Sequence, residues 1–131
     1  MTTALLLIAH GSRQAEANAD LHHVAREIRQ QGYPIVVASF LELASPSIEE
    51  GGRECVVAGA QQVVLVPYFL SAGVHVRRDL AAARSNLAQE FPQVSFLLAE
   101  PLGRHPLLID VVVQRAAEAI LTPNQIPSPS A

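Results

Sequence analysis

Short apolar runs alternate along this chain with longer segments in which apolar residues recur every three or four positions. The runs lie at about Ala4–Ala9, Pro34–Leu41, Val63–Phe69 and Val94–Ala99. Near-continuous apolar stretches of this length predict parallel strands covered on both faces. Between the first two, Gln14–Gln31 carries Ala17, Leu21, Val24, Ala25 and Ile28 on one helical stripe, and Gly32 stops it. In the next segment Ser45 or Ser47 is a candidate cap for a helix reaching Gly59, with Pro46 in or near its first turn. The Gly51-Gly52 pair argues against that helix, since each glycine costs about 1 kcal/mol in a helix interior. Val76, Leu80, Ala83 and Leu87 form the inner stripe of a third helix. Leu108, Val111, Val112, Ala116, Ala119 and Ile120 form that of a fourth. The order β-α-β-α-β-α-β-α predicts an α/β three-layer sandwich around a four-stranded parallel sheet.

Residues 1–121 are expected to form one domain. The tail over 122–131, with Pro123, Pro127 and Pro129 among Ser, Asn and Gln, is expected to lie outside the fold. The first apolar run is too short to span a membrane, and no basic residue precedes it as in a signal peptide. The expected location is therefore cytoplasmic. A net charge of −3 argues against nucleic acid as a partner. All basic residues are arginine, whose guanidinium pairs bidentately with carboxylates. The single cysteine, Cys55, excludes an internal disulfide and reads as a small buried hydrophobe.

In open parallel sheets, ligands bind beyond the carboxyl ends of the strands. His10, Gly11, Ser12 and Arg13 follow the first predicted strand, and Glu42 follows the second. Ser71, Gly73, His75, Arg77 and Arg78 follow the third; Glu100, Gly103, Arg104 and His105 follow the fourth. Two histidines and a carboxylate from separate strand ends thus point to one edge. Imidazole is a common ligand for borderline divalent ions, and two His with one Glu leave coordination positions open. An open site suits transfer of a metal rather than storage. One cysteine excludes a thiolate cage. Each residue also has a plainer role available: His10 and His75 as hydrogen-bonding loop residues, Glu42 as a solvated carboxylate or helix cap. His105 could cap the last helix or sit at the rim. His22 and His23 fall mid-helix and read as a solvated face. Neither GxGxxG nor GxxxxGK[ST] occurs, so a nucleotide site lacks support. Ala9 rather than Arg precedes His10, against the order of the histidine phosphatases.

The segment Leu6 to Arg13, LLIAHGSR, resembles the opening motif of the sirohydrochlorin chelatases of the CbiX/SirB family. Phe40-Leu41-Glu42 with Pro46-Ser47-Ile48, the stretch Val66 to Asp79 (VPYFLSAGVHVRRD) and Pro101 to His105-Pro106 (PLGRHP) resemble its later motifs, in order. The likeness covers about residues 3–121. It implies a chelatase-like fold and insertion of a divalent metal, Fe2+, Co2+ or Ni2+, into sirohydrochlorin. No cofactor beyond that metal substrate is implied. Larger members carry two such domains facing across a cleft, so a single domain implies the short form, working as a homodimer. Tyr68, Phe69 and Leu70 are the apolar surface expected to meet the partner or the macrocycle. In this reading His10 and His75 hold the metal and take the pyrrole protons, with Glu42 assisting. Ser12, Arg13, Ser71, Gly73, Arg77, Arg78 and Arg104 are assigned to the substrate, the arginines through its carboxylates. Arg77 and Arg78 cannot both point inward on one ideal helix. The imidazoles must be neutral to act, so activity falls as they protonate in acid. The rival class is a metallochaperone or tetrapyrrole carrier that never catalyses insertion, or a structural subunit of a larger assembly.

Overall fold

The computed structural model describes residues 1–122; most of the proposed tail therefore lies outside the described residues. Strands β1 (Thr3–Ala9), β2 (Ile35–Phe40), β3 (Gln62–Pro67) and β4 (Ser95–Leu98) alternate with helices α1 (Ala15–Gln30), α2 (Ile48–Val57), α3 (Val74–Glu90) and α4 (Pro106–Leu121). All pairings are parallel, and the sheet order is β2-β1-β3-β4. The expected three-layer α/β arrangement is found, with strand ends within two residues of those predicted.

The two faces of the sheet are covered by different helices because strand residues alternate between them. Ala4, Leu6, Ile8, Val63, Leu65 and Phe96 pack with Ile48 and Cys55 of α2 and with Leu80, Ala83 and Leu87 of α3. Leu7, Val36, Ala38 and Phe40 pack with Leu21 and Ala25 of α1. Cys55 is fully buried, and desolvation pushes its thiol up to about 12, so it is an inert core residue.

The Gly51-Gly52 pair, a puzzle in sequence, is what lets α2 lie close. A Cβ on Gly51 would stand 2.8 Å from Leu6 Cδ1, and one on Gly52 would stand 2.6 Å from Leu87 Cδ1. The helix accepts two poor helix formers because a side chain would push it off the sheet and off α3. Its start compensates. Ser47 Oγ accepts from Glu50 N at 3.2 Å, and Glu50 Oε1 accepts from Ser47 N at 2.9 Å, a reciprocal capping box. Those bonds from Ser47 hold the Glu50 carboxyl below its ordinary range. Ser47→Ala should therefore destabilise the fold by about 1 kcal/mol, the usual worth of a cap. Urea unfolding followed by circular dichroism checks this, and an unchanged midpoint would mean that packing alone holds α2.

The fourth helix departs from expectation. None of its residues is buried, and Leu108 alone is half-buried. The stripe expected to face inward is open: Val112 is 67% exposed and Ile120 77%. The periodicity identified the helix correctly, but among the described residues its apolar side makes no extensive contact with another element.

Candidate functional site

The sheet reverses its winding between β1 and β3. The chain moves from β1 to β2 on one side, then crosses back to β3 on the other. Helices leave on opposite faces at such a point, and a crevice opens beyond the strand ends. His10 follows β1 directly, and Tyr68 to His75 follows β3. The two candidate metal-handling histidines therefore follow the two strands that flank the switch point, His10 directly and His75 at the start of α3.

The strand ends are stitched together past the sheet itself. Leu41 N donates to Ala9 O at 3.0 Å, and Glu42 N donates to His10 O at 3.1 Å. Gly11, at φ 94°, lies against that second contact; a Cβ there would stand 1.8 Å from Glu42 O. Glycine is thus demanded twice, by conformation and by approach. The next residue is fixed from α1: Asn18 Oδ1 accepts from Ser12 N at 3.0 Å, and Asn18 Nδ2 donates to Ser12 O at 2.8 Å. Ser12 Oγ accepts from Gln14 N at 3.0 Å, which commits part of the hydroxyl to the loop. Asn18 was not singled out from the sequence. Its only signal was an amide one turn into a helix that follows a glycine loop.

His10 is exposed at this edge, and its ring lies over Phe69, with centroids 4.4 Å apart and planes at 43°. Phe69 is itself buried, so it is a floor beneath His10 and not the surface residue expected. The reason is alternation: Pro67 and Phe69 point in, while Tyr68 and Leu70 point out. His75 lies in the first turn of α3 rather than in the preceding loop, and it is exposed. Gly73 is the N-cap, with no side-chain cap, which leaves the opening amides of α3 available at this edge. His105 is the N-cap of α4, its Nδ1 accepting from Leu107 N at 3.2 Å. Among the described residues, no three His, Cys, Asp or Glu side chains gather closely enough to hold a metal ion. Glu42 is tied to His10 through its backbone, and its carboxylate does not complete a three-ligand cage within one copy.

The arginines divide. Arg77 Nε donates to Ala72 O at 3.1 Å, and Nη1 lies 3.4 Å from Glu100 Oε2, so it bridges the loops after β3 and β4. Those loops are joined by Leu102 N donating to Phe69 O at 2.9 Å, and by Gly103 lying against Leu70 O. Between them is a cleft of about 240 Å³, lined by Ser71, Arg77, Glu100, Gly103 and Arg104 among others. Arg104 holds a left-handed conformation at φ 62°. Arg13 and Arg78 are exposed, and neither makes a side-chain ion pair among the described residues.

The CbiX family model matches residues 4–119. The chain belongs to the CbiX family. It is 40% identical over 112 residues to the chloroplastic sirohydrochlorin ferrochelatase of Arabidopsis thaliana, covering 85% of this chain and 50% of that protein. It is 30% identical over 116 residues to a sirohydrochlorin cobaltochelatase of Sulfolobus acidocaldarius, covering 88% of this chain and 91% of that one. The sirohydrochlorin chelatase SirB from Bacillus subtilis subspecies spizizenii, solved with cobalt, superposes with a TM-score of 0.82 at 28% identity. That superposition covers 90% of this chain and 51% of SirB. The chain thus spans about half the length of the Arabidopsis relative and of SirB, and nearly all of the Sulfolobus one.

Proposed function

We propose that this CbiX protein inserts a divalent metal ion, Fe2+ or Co2+, into sirohydrochlorin. The observation that carries the reading is that His10, directly after β1, and His75, in the first turn of α3 after β3, both lie beyond the two strands flanking the switch point. The names borne by the relatives, ferrochelatase and cobaltochelatase, supply the substrate and the two metals.

Insertion into a tetrapyrrole needs two things: delivery of M2+ to the ring nitrogens, and removal of their N–H protons. A neutral imidazole can do either, donating a lone pair to the metal or accepting a proton. Two imidazoles without a third protein ligand hold an ion loosely enough to release it, because the macrocycle nitrogens complete its coordination. The metal is a substrate here, and no further cofactor is part of the proposal. Ser71, Arg77 and Arg104 in the cleft suit the carboxylate arms, through charge-assisted bonds at the rim. Arg13, Arg78, Ser12 and Gly73 border the same edge. A flat macrocycle on one such edge has one face open, so the working unit of the proposal is a homodimer that covers the other face.

Anaerobic mixing of the protein with metal-free sirohydrochlorin and Fe2+, Co2+ or Ni2+ tests this by absorbance. Many turnovers per protein are expected. A change that stops at one equivalent would identify a carrier and end the chelatase reading. Glu42→Gln should slow insertion by about tenfold at most, below the 10²–10⁴ usual for a direct proton-transfer group. An identical rate and pH profile would remove Glu42 from the chemistry.

A further inference from the structure

Among the described residues, two that are not glycine hold a left-handed backbone: Leu43 at φ 62° and Arg104 at φ 62°. That region is disfavoured for both, because Cβ crowds the following carbonyl oxygen; glycine enters it freely, and asparagine more readily than leucine. The two positions are not scattered. Leu43 follows β2 and Arg104 follows β4, the outer strands of the order β2-β1-β3-β4, and both lie beyond the carboxyl ends of those strands. They therefore bracket the segments after β1 and β3 that carry His10 and His75. Backbone strain of this kind collects at ligand contacts, where the surrounding structure imposes it.

The fold explains the conformation at Leu43 but not the leucine. Glu42 N donates to His10 O at 3.1 Å, and Phe40 N donates to Pro46 O at 3.0 Å, so the chain must turn between Glu42 and Pro46. Glycine or asparagine would make that turn with less strain. Leu43 instead carries a side chain that is 51% exposed and belongs to neither core cluster. It gains no burial to offset its conformation. At Arg104 the reason for the side chain is visible. It lines the cleft with Ser71 and Arg77, and the position before it cannot hold a side chain, since a Cβ on Gly103 would stand 1.6 Å from Leu70 O. Leu43 is the matching outlier on the other flank, and its side chain is apolar. Tyr68 and Leu70, exposed after β3, add apolar surface to the same edge.

We infer that Leu43 is a contact for the flat apolar ring of the substrate, on the flank of His10 opposite Arg104. The inference rests on the insertion reading above and adds a residue to its substrate site. The division of labour follows the chemistry of a tetrapyrrole that bears carboxylates. The ring gains from covering apolar surface, and the arms gain from guanidinium. Leu43 is one residue beyond Glu42, whose amide is bonded to His10 O. A ring resting on Leu43 is thus held by the same backbone unit that carries the imidazole. The exposed part of the leucine, idle in the free protein, is covered when the ring binds.

Binding and stability measured on the same variants test this. Leu43→Asn removes the apolar surface and suits the left-handed backbone, so its urea midpoint should equal or exceed that of the unaltered chain. Its affinity for metal-free sirohydrochlorin, titrated by absorbance without metal, should fall about three- to tenfold, the worth of the exposed half of this leucine. Leu43→Met conserves volume and apolar character and should bind within about twofold of the unaltered chain. In the insertion assay Leu43→Asn should raise KM by the same factor and leave kcat within about twofold, as for a contact made equally in ground and transition states. Unchanged affinity in Leu43→Asn, or an equal loss in Leu43→Met, would overturn the inference. A lowered midpoint in Leu43→Asn would overturn it too, by making Leu43 a packing residue. So would a fall in kcat with affinity unchanged, which would mean that the substitution acts through Glu42. If the unaltered protein binds sirohydrochlorin without turnover, the chelatase reading fails and the contact at Leu43 stands, so the two fail separately.

Discussion

Replacing His75 with alanine is expected to lower the rate of metal insertion by about 10²–10⁴-fold, the range for loss of a proton-transfer group. The fold should hold within about 0.5 kcal/mol, because the side chain is exposed in the first turn of α3. His10→Ala should cost as much in rate and more in stability. The His10 ring covers Phe69, and an aromatic pair of this kind is worth about 0.5–1.5 kcal/mol beyond burial. His10→Phe separates the two roles, since it keeps a ring over Phe69 and removes both nitrogens. Insertion should fall as far as in the alanine variant while the unfolding midpoint recovers. If His10→Phe turned over at the unaltered rate, the imidazole would be a structural lid on Phe69, and metal delivery would need another residue.

The strands were legible because burial on both faces leaves a nearly continuous apolar run, and only their frayed ends moved. The helices were legible for the complementary reason, a stripe every three or four residues. What could not be read depended on contacts between residues far apart in the chain. Gly51 and Gly52 argue against a helix by propensity, and only the proximity of Leu6 and Leu87 shows why the helix needs them. Asn18 has no local mark of importance, because its bonds run to the backbone of Ser12 across a loop. Phe69 was within reach. The in-out alternation of β3 continues past its last hydrogen bond, so Phe69 had to point inward with Pro67. For α4 the periodicity identified the helix, but the stripe expected to face inward is exposed, because periodicity says only that a helix wants a partner. It cannot say that the partner is another element of the same chain.

Of the site residues, His10 and His75 were placed by the rule of strand ends, which needs only the order of elements. Glu42 met the same rule, but the side-chain direction needed for a three-ligand set does not follow from sequence position. The geometry leaves that set unformed within one copy. Arg77 shows a related limit. It was assigned to substrate, and its guanidinium is already engaged by Ala72 O and Glu100. It can present only its remaining donors to a carboxylate.

The backbone under the site is the more stringent test, and Gly11→Ala probes it. A Cβ at Gly11 would stand 1.8 Å from Glu42 O and 3.1 Å from Phe40 Cβ. The first neighbour is backbone, so relief requires β1 and β2 to part beyond the sheet, at the expense of the Glu42 N to His10 O bond. The residue would also have to keep φ near 94°, where a Cβ is disfavoured. Left-handed strain of about 1–2 kcal/mol and loss of a hydrogen bond worth about 0.5–1.5 kcal/mol together predict about 1.5–3.5 kcal/mol of destabilisation. Gly59→Ala is the matched control. Its φ is 106°, yet a Cβ there meets nothing within 4 Å, so it should incur the strain alone. The difference between the two variants in urea unfolding isolates the collision at the site. Insertion should drop in Gly11→Ala even below its melting range, because His10 is carried by the displaced segment, and stay unchanged in Gly59→Ala. Equal stabilities would mean that the loop yields without cost, and that the approach of Gly11 to Glu42 O does not hold His10 in place.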